Sequence, residues 1–280
     1  MLDEAVSVEV VRHFCHIASS RLGVGIGDKY QTLVAGRVAK RLLTLQLDVD
    51  KYVERLNTDH ECSEVVGFLD FLRPRPPRFF ARRDDHAVLH TGLVRWLKEG
   101  KRRIRLWSAG CGTGEEAYGM ALTLLAALDA SGVGLHEVDI KILATDISKP
   151  ILERGKRGIF HPDQLRDVPG AIHRRYFRET NGGVVIGEDV REMVYFRRLN
   201  LTRIPYPMVG PLEAVFCRDG LAPLVRSARR RVADALKALV GEAGILRTGF
   251  GDDELPGFDD HNGRISMPAL FGRSISRPSS

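Results

Sequence analysis

The run IRLWSAGCGTGEEAYGMAL, residues 104–122, decides how this chain folds. Ile104–Trp107 is a short β-prone segment, and Gly110, Gly112 and Gly114 follow it at once. From Glu115 to Ala130 the composition turns helical, rich in Ala and Leu. A second β-prone run, Asp139–Ala144, leads into Thr145-Asp146-Ile147. Strand, helix and strand in this order form a βαβ unit, which requires parallel strands and a right-handed crossover. A glycine-rich turn after the first strand lets the backbone approach a nucleotide-like ligand closely, or simply permits tight strand–helix packing.

Asp146 stands at the tip of the second strand, where a carboxylate accepts both hydroxyl protons of a ribose. Its other reading is an N-cap for a helix that begins at Ser148. The turn also discriminates between cofactors. A dinucleotide site reads GxGxxG and seats a pyrophosphate on the helix N-terminus. Here Glu115 and Glu116 open the helix, and two carboxylates repel a pyrophosphate. S-adenosylmethionine carries an ammonium, a sulfonium and a ribose but no phosphate, so the charge pattern favours it over NAD. Acids in a first helical turn also answer to the macrodipole alone.

Upstream of this unit, residues 4 to about 70 read as helical. Val10, Phe14, Ile17 and Leu22 fall near helical spacing, and GVGIG then stops the helix. A second helix is predicted from Lys29 to Leu45, with Leu33, Leu42 and Leu45 facing inward and Arg37, Lys40 and Arg41 on another side. Asp50 is the predicted cap of a third helix, and Val65–Leu72 make a fourth. RPRPP at 73–77 breaks the pattern and marks a boundary. Downstream, Val184–Ile186, Met193–Phe196 and Leu212–Cys217 read as strands, and Ile245–Leu246 start one more. After Glu254 the chain is Gly, Pro, Ser and Arg with little apolar content, which predicts a disordered tail over 255–280.

The chain has 280 residues and a formal charge of +6. Between Phe71 and Arg105, eleven basic residues face three acids, so the excess sits in one segment. A nucleic-acid coat would spread or repeat its charge, and no aromatic platform accompanies this one. No apolar run reaches the ~20 residues of a membrane span, and the N-terminus has no signal-peptide pattern. Cys15, Cys62, Cys111 and Cys217 form no CxxC pair. Neither a disulfide framework nor a metal site is expected, and a reducing cytoplasm is the simplest home. His86 and His90 share a helical face without a third ligand and read as surface histidines.

With these pieces assembled, the chain resembles the CheR-type chemotaxis receptor methyltransferases over roughly residues 10–250. The matching segments are RVAKRLLTLQLDVDKYVERL, Phe79-Phe80, LWSAGCGTGEEAYGMAL, LATDIS with GKRGIF, RRYF, YFRRLNL and VFCRD. The resemblance implies an all-α N-terminal domain (1–73), a linker and connecting helix (74–103) and a class I, Rossmann-like α/β methyltransferase domain (104–254). A small β-subdomain would be inserted at about 164–196. It further implies methyl transfer from S-adenosylmethionine to a glutamate of a chemoreceptor's acidic cytoplasmic helices, leaving S-adenosylhomocysteine, by a monomer that binds no nucleic acid.

Residue by residue, the resemblance implies that Glu116 holds the amino-acid part of the cofactor and Asp146 the ribose. Gly110, Gly112 and Gly114 form the turn, Asn200 and Leu201 border the adenine, and Arg218 and Asp219 lie beside the pocket. Arg37, Lys40 and Arg41 become the receptor-docking face, with the family's further basic position on this helix falling at Leu43. The chain departs from the family pattern at Pro77, in place of Thr, at Ala81, in place of an Arg, and at Pro223, in place of a Tyr. Asp219 replaces the usual Asn, and Gly249-Phe250-Gly251-Asp252 stands for Gly-His-Ser-Glu. Arg82, next to Ala81, is the candidate catalytic replacement. These departures leave a second expectation open: a catalytically impaired relative that binds S-adenosylmethionine or S-adenosylhomocysteine and signals through a partner protein. The turn at Asn181-Gly182-Gly183 is short, which predicts no tethering to a receptor's C-terminal peptide.

Overall fold

The computed structural model describes residues 8–72 and 77–249. Four helices lead: α1 (Val8–Leu22), α2 (Gln31–Leu45), α3 (Val49–Thr58) and α4 (Ser63–Leu72). The inward stripe of α2 is Val34, Val38 and Leu42, spaced four apart. Leu33 lies about 100° round the helix from that stripe and is 45% exposed, contrary to the sequence expectation. The cap of α3 is Asp48 rather than Asp50, its carboxylate accepting the Lys51 N–H at 2.8 Å.

The chain continues through α5 (Arg83–Lys98), β1 (Arg103–Ala109), α6 (Glu115–Ser131), β2 (Asp139–Asp146) and α7 (Lys149–Arg157). It then forms β3 (Ile159–Phe160), α8 (Gly170–Tyr176), β4 (Phe177–Thr180), β5 (Gly183–Ile186), α9 (Glu188–Arg191) and β6 (Val194–Arg198). The last elements described are β7 (Leu212–Phe216), α10 (Arg226–Leu239) and β8 (Val240–Arg247). Five strands make a parallel sheet in the order β6-β2-β1-β7-β8. The class I methyltransferase reading of the fold is therefore correct.

Period-two alternation divides β1 between two cores. Ile104 and Leu106 join α5 and α6, while Trp107 and Ala109 join α1–α4 and α10. One apolar core thus runs across the sequence boundary at 73–77 and seats the leading helices on the sheet. Chain order places β2 and β6 on one side of β1 and β7 and β8 on the other. The switch point of the sheet is a crevice at the C-terminal ends of β1 and β7, the usual ligand position in such folds.

The small sheet is antiparallel, in the order β3-β5-β4. It begins at Ile159 and ends at Ile186, so the expected span of 164–196 is shifted. Met193–Phe196 leaves it because Val194 and Phe196 are buried by pairing in parallel with β2, where Phe196 lies opposite Ala144. Asn181-Gly182 turns between β4 and β5, with Thr180 paired to Gly183.

The basic segment is largely spent on internal ties. Arg78 and Arg83 reach Asp167 at 3.1 and 3.5 Å, and Lys101 reaches Glu213 at 2.6 Å. Arg105 donates to the Asp139 carbonyl at 2.8 Å and pairs with its carboxylate. Among the described residues no helix is long and apolar enough to cross a membrane. The tail at 255–280, and Arg73 and Arg75 of the linker, lie outside the described residues.

Candidate cofactor crevice

The glycine turn is strapped to the end of β2. The N–H groups of Gly110 and Cys111 both donate to the Thr145 carbonyl, at 2.7 and 2.8 Å. Asp146 is buried, and its two oxygens accept the N–H groups of Gly112 at 3.1 Å and Ser148 at 3.0 Å. The cap of α7 is Ser148 itself, whose side chain accepts the Ile151 N–H. Asp146 is left to join the turn to the strand end. Gly110 has φ +83°, and a Cβ there would stand 2.4 Å from the Cα of Gly220, because the loop after β7 passes directly over it. Gly112 and Gly114 take φ +56° and +97°.

The two glutamates diverge because adjacent helical residues point about 100° apart. Glu116 is half-buried and accepts the Ser108 hydroxyl at 2.6 Å. Burial pushes its pKa up to about 7; the Ser108 hydrogen bond opposes this and the charge of Asp219 adds to it. Glu115 turns toward the small sheet and is fully buried. It accepts the Thr113 hydroxyl at 2.5 Å and the Gln164 amide. Gln164 in turn accepts the Phe79 N–H on its backbone carbonyl at 2.9 Å and reaches the Pro77 carbonyl through its side chain. One buried acid therefore joins the glycine turn, the small sheet and the linker.

Burial raises the Glu115 pKa to about 7 as well. The folded state then holds a proton that the unfolded chain releases near pH 4.5. Stability from this group is complete below about pH 4.5 and is lost as pH rises through about 7. Glu115→Gln is expected to flatten that part of the stability–pH curve. The loss avoided is about 3 kcal/mol, from a raise of roughly two to three pKa units. Urea unfolding at pH 5 and pH 8 checks it.

On the opposite wall, Arg218 follows the end of β7 and is gripped by Asp85, with Nε–Oδ2 and Nη2–Oδ1 both at 2.6 Å. Asp219 is exposed. The Asn200 side chain donates to the Arg21 carbonyl at 3.1 Å and accepts from Thr202, which leaves Leu201, packed near Gly220, as the apolar edge. Phe79 and Phe80 are fully buried, Phe79 edge-on to Phe160 and Phe177 and Phe80 edge-on to His86. Phe80 holds φ +53°, a strained value for an aromatic residue. Ala81 and Arg82 are exposed just beyond it, and Pro223 is exposed with its carbonyl accepting the Gly25 N–H at 3.1 Å.

Of the α2 cations, Lys40 is exposed. Arg41 is held by the buried Glu64 at 2.6 Å, and Arg37 is half-buried over Gly67. The histidine reading is corrected: α5 packs on α6, so His86 is buried against Thr123, Phe216 and Phe80. Desolvation lowers its pKa to about 3 and keeps it neutral. Cys111 and Cys217 are buried thiols outside any disulfide, the pKa of Cys217 raised well above its usual value by burial. Sequence reasoning missed Asp85, Gln164 and Gly220, which act across 133, 49 and 110 residues respectively. A first-turn acid in an arginine-rich run was the one local signal for Asp85.

The family model "CheR methyltransferase, SAM binding domain" matches residues 77–270. The chain is 30% identical over 236 residues to chemotaxis protein methyltransferase 2 of Pseudomonas aeruginosa, covering 82% of this chain and 81% of that one. Against the chemotaxis protein methyltransferase of Salmonella typhimurium it is 27% identical over 254 residues, covering 89% and 85%. The corresponding protein of Escherichia coli is also 27% identical over 254 residues, with coverage of 89% and 86%.

Proposed function

Because the chain belongs to the CheR methyltransferase family, we propose that this S-adenosylmethionine-dependent methyltransferase esterifies glutamate side chains of chemoreceptor cytoplasmic helices. The observation that carries the reading is the buried Asp146 carboxylate, held at the end of β2 by the Gly112 N–H in a turn of left-handed glycines. The fit to the cofactor is chemical. Two carboxylates, Asp146 at the end of β2 and the half-buried Glu116 at the start of α6, flank the turn, a donor set suited to ribose hydroxyls and an ammonium rather than to a pyrophosphate.

In this reading Asp146 holds the ribose hydroxyls, Glu116 the amino-acid end, and the Leu201 side chain with the Asn200 backbone the adenine. Arg218 and Asp219 form the far wall. When bound, S-adenosylmethionine supplies an electrophilic methyl group on a sulfonium. A glutamate substrate is already ionised at neutral pH, so the chain needs no general base. Its tasks are alignment and exclusion of water, which Phe79, Phe80 and the small sheet serve by closing over the turn. Arg82 is the exposed cation nearest the vacant position at Ala81. Lys40, with the outer parts of Arg37 and Arg41, presents positive charge suited to an acidic helix. Residues 1–73 then form the docking unit and 104–254 the catalytic unit, joined by 74–103, in a monomer acting in the cytoplasm.

Radiolabelled methyl transfer to receptor-enriched membranes tests the function. A base-labile methyl ester is expected, and cofactor binding without ester formation would overturn it. Glu116 adds a pH signature. Below about pH 7 its carboxyl is neutral, and a cationic ligand favours the ionised form. S-adenosylmethionine affinity is therefore expected to rise by up to about tenfold from pH 6 to pH 8. Calorimetry at the two pH values, with Glu116→Gln removing the dependence, checks it.

A further inference from the structure

Asp85 sits in the first turn of α5, four residues beyond Ala81, and is 4% exposed. Its two oxygens grip the Arg218 guanidinium side-on at 2.6 Å, and Arg247 at the end of β8 brings its Nε to 3.5 Å from one of them. All three side chains are at most 11% exposed. A buried ion pair is a poor source of stability, since an apolar replacement often does as well. Its orientation is what an apolar pair could not reproduce.

Arg218 follows two residues after Phe216, the β7 residue that pairs with Ser108 of β1, and Ser108 is the hydrogen-bond partner of Glu116, so Arg218 faces Glu116 from the opposite wall of the crevice. Its charge is felt by Glu116. A free guanidinium there would bind the nearest carboxylate bidentately, as arginine does. Glu116 would then be neutralised by the protein itself.

We propose that Asp85 is a positioning residue of the cofactor crevice: it holds Arg218 against α5 and so keeps Glu116 available to a cationic ligand. The proposal rests on the cofactor reading of the crevice given above. It makes α5, whose start is set by the linker, part of the site without touching the ligand. It also explains why an arginine is compatible with a site built for an ammonium and a sulfonium.

The test is a double-mutant cycle read by calorimetry with S-adenosylmethionine and S-adenosylhomocysteine. Asp85→Asn is expected to weaken binding of S-adenosylmethionine and S-adenosylhomocysteine alike, about tenfold, because both carry the ammonium assigned to Glu116. Asp85→Glu, which keeps the carboxylate, is expected to restore most of the affinity. In an Arg218→Met, Arg247→Met background the same Asp85→Asn change is expected to have no effect on affinity, because neither guanidinium beside Asp85 remains to swing. That background also removes the uncompensated charge that would make Asp85→Asn alone prone to misfold. An equal loss in both backgrounds, or no loss for either ligand, overturns the role of Asp85. If the wild-type protein binds neither ligand, the cofactor reading itself fails and the role of Asp85 falls with it.

Discussion

Asp146→Asn is expected to lower S-adenosylmethionine affinity by about a hundredfold, through two charge-assisted hydrogen bonds of about 1.5–3 kcal/mol each that an amide cannot replace in full. The carboxylate already accepts the N–H groups of Gly112 and Ser148, one on each oxygen. An Asn at this position offers one acceptor oxygen and one NH2 group. Whichever way the amide turns, one of those two N–H groups meets a donor instead of an acceptor. If it is Gly112, the turn lifts from β2 and the ribose position is lost with it. If it is Ser148, the start of α7 is disturbed. Calorimetry measures the affinity, and the unfolding midpoint separates the two routes, since only part of the loss belongs to the folded scaffold. An unchanged affinity would exclude Asp146 from the site.

Gly110→Ala is expected to destabilise the protein by about 3 kcal/mol or more and to abolish cofactor binding. Two costs combine. At φ +83° a side chain is strained by roughly 1–2 kcal/mol. The new methyl would also stand 2.4 Å from the Cα and 2.7 Å from the N of Gly220. Those are backbone atoms, so no rotamer change relieves the clash, and overpacking of this kind costs about 1–3 kcal/mol. The loop after β7 must move away, and it carries Arg218 and Asp219 with it. A chain of this size loses roughly 2–4 °C of Tm per kcal/mol, which predicts a fall of about 6–12 °C. Gly182→Ala is the control: nothing lies within 4 Å of a Cβ there, and little change in Tm is expected. A wild-type Tm in Gly110→Ala would mean that the close approach of the two loops is dispensable.

The departures at Ala81 and Pro223 look different once their surroundings are known. Pro223 serves through its carbonyl, which takes the Gly25 N–H and pins the turn after α1 to the loop after β7. A proline carbonyl does this as well as any other. Ala81 is exposed, next to the strained Phe80. The basic segment that set this chain apart in sequence thus has a structural explanation. Arg78 and Arg83 fix the linker to Asp167, Lys101 closes on Glu213 and Arg105 on Asp139.

Residues 104–146 alone determined the parallel βαβ unit, the glycine turn and the acid at the end of β2. Each of those features is local: a strand period, a helix composition and a turn that needs glycine are all written within a few residues of one another. The acid pair that opens α6 likewise favours S-adenosylmethionine over a dinucleotide in the sequence, although only Glu116 is left partly exposed in the fold. Tertiary structure alone decided which glutamate faces the crevice and which is buried as a latch on Gln164 and the linker. It also decided that Met193–Phe196 pairs with β2 rather than with the small sheet, that His86 is in the core, and that Arg218 is clasped by Asp85. The reason is physical: the direction of a side chain round a helix, the partner of a strand and the neutralisation of a buried charge all depend on atoms far away in sequence. Those atoms become neighbours only when the whole sheet has formed.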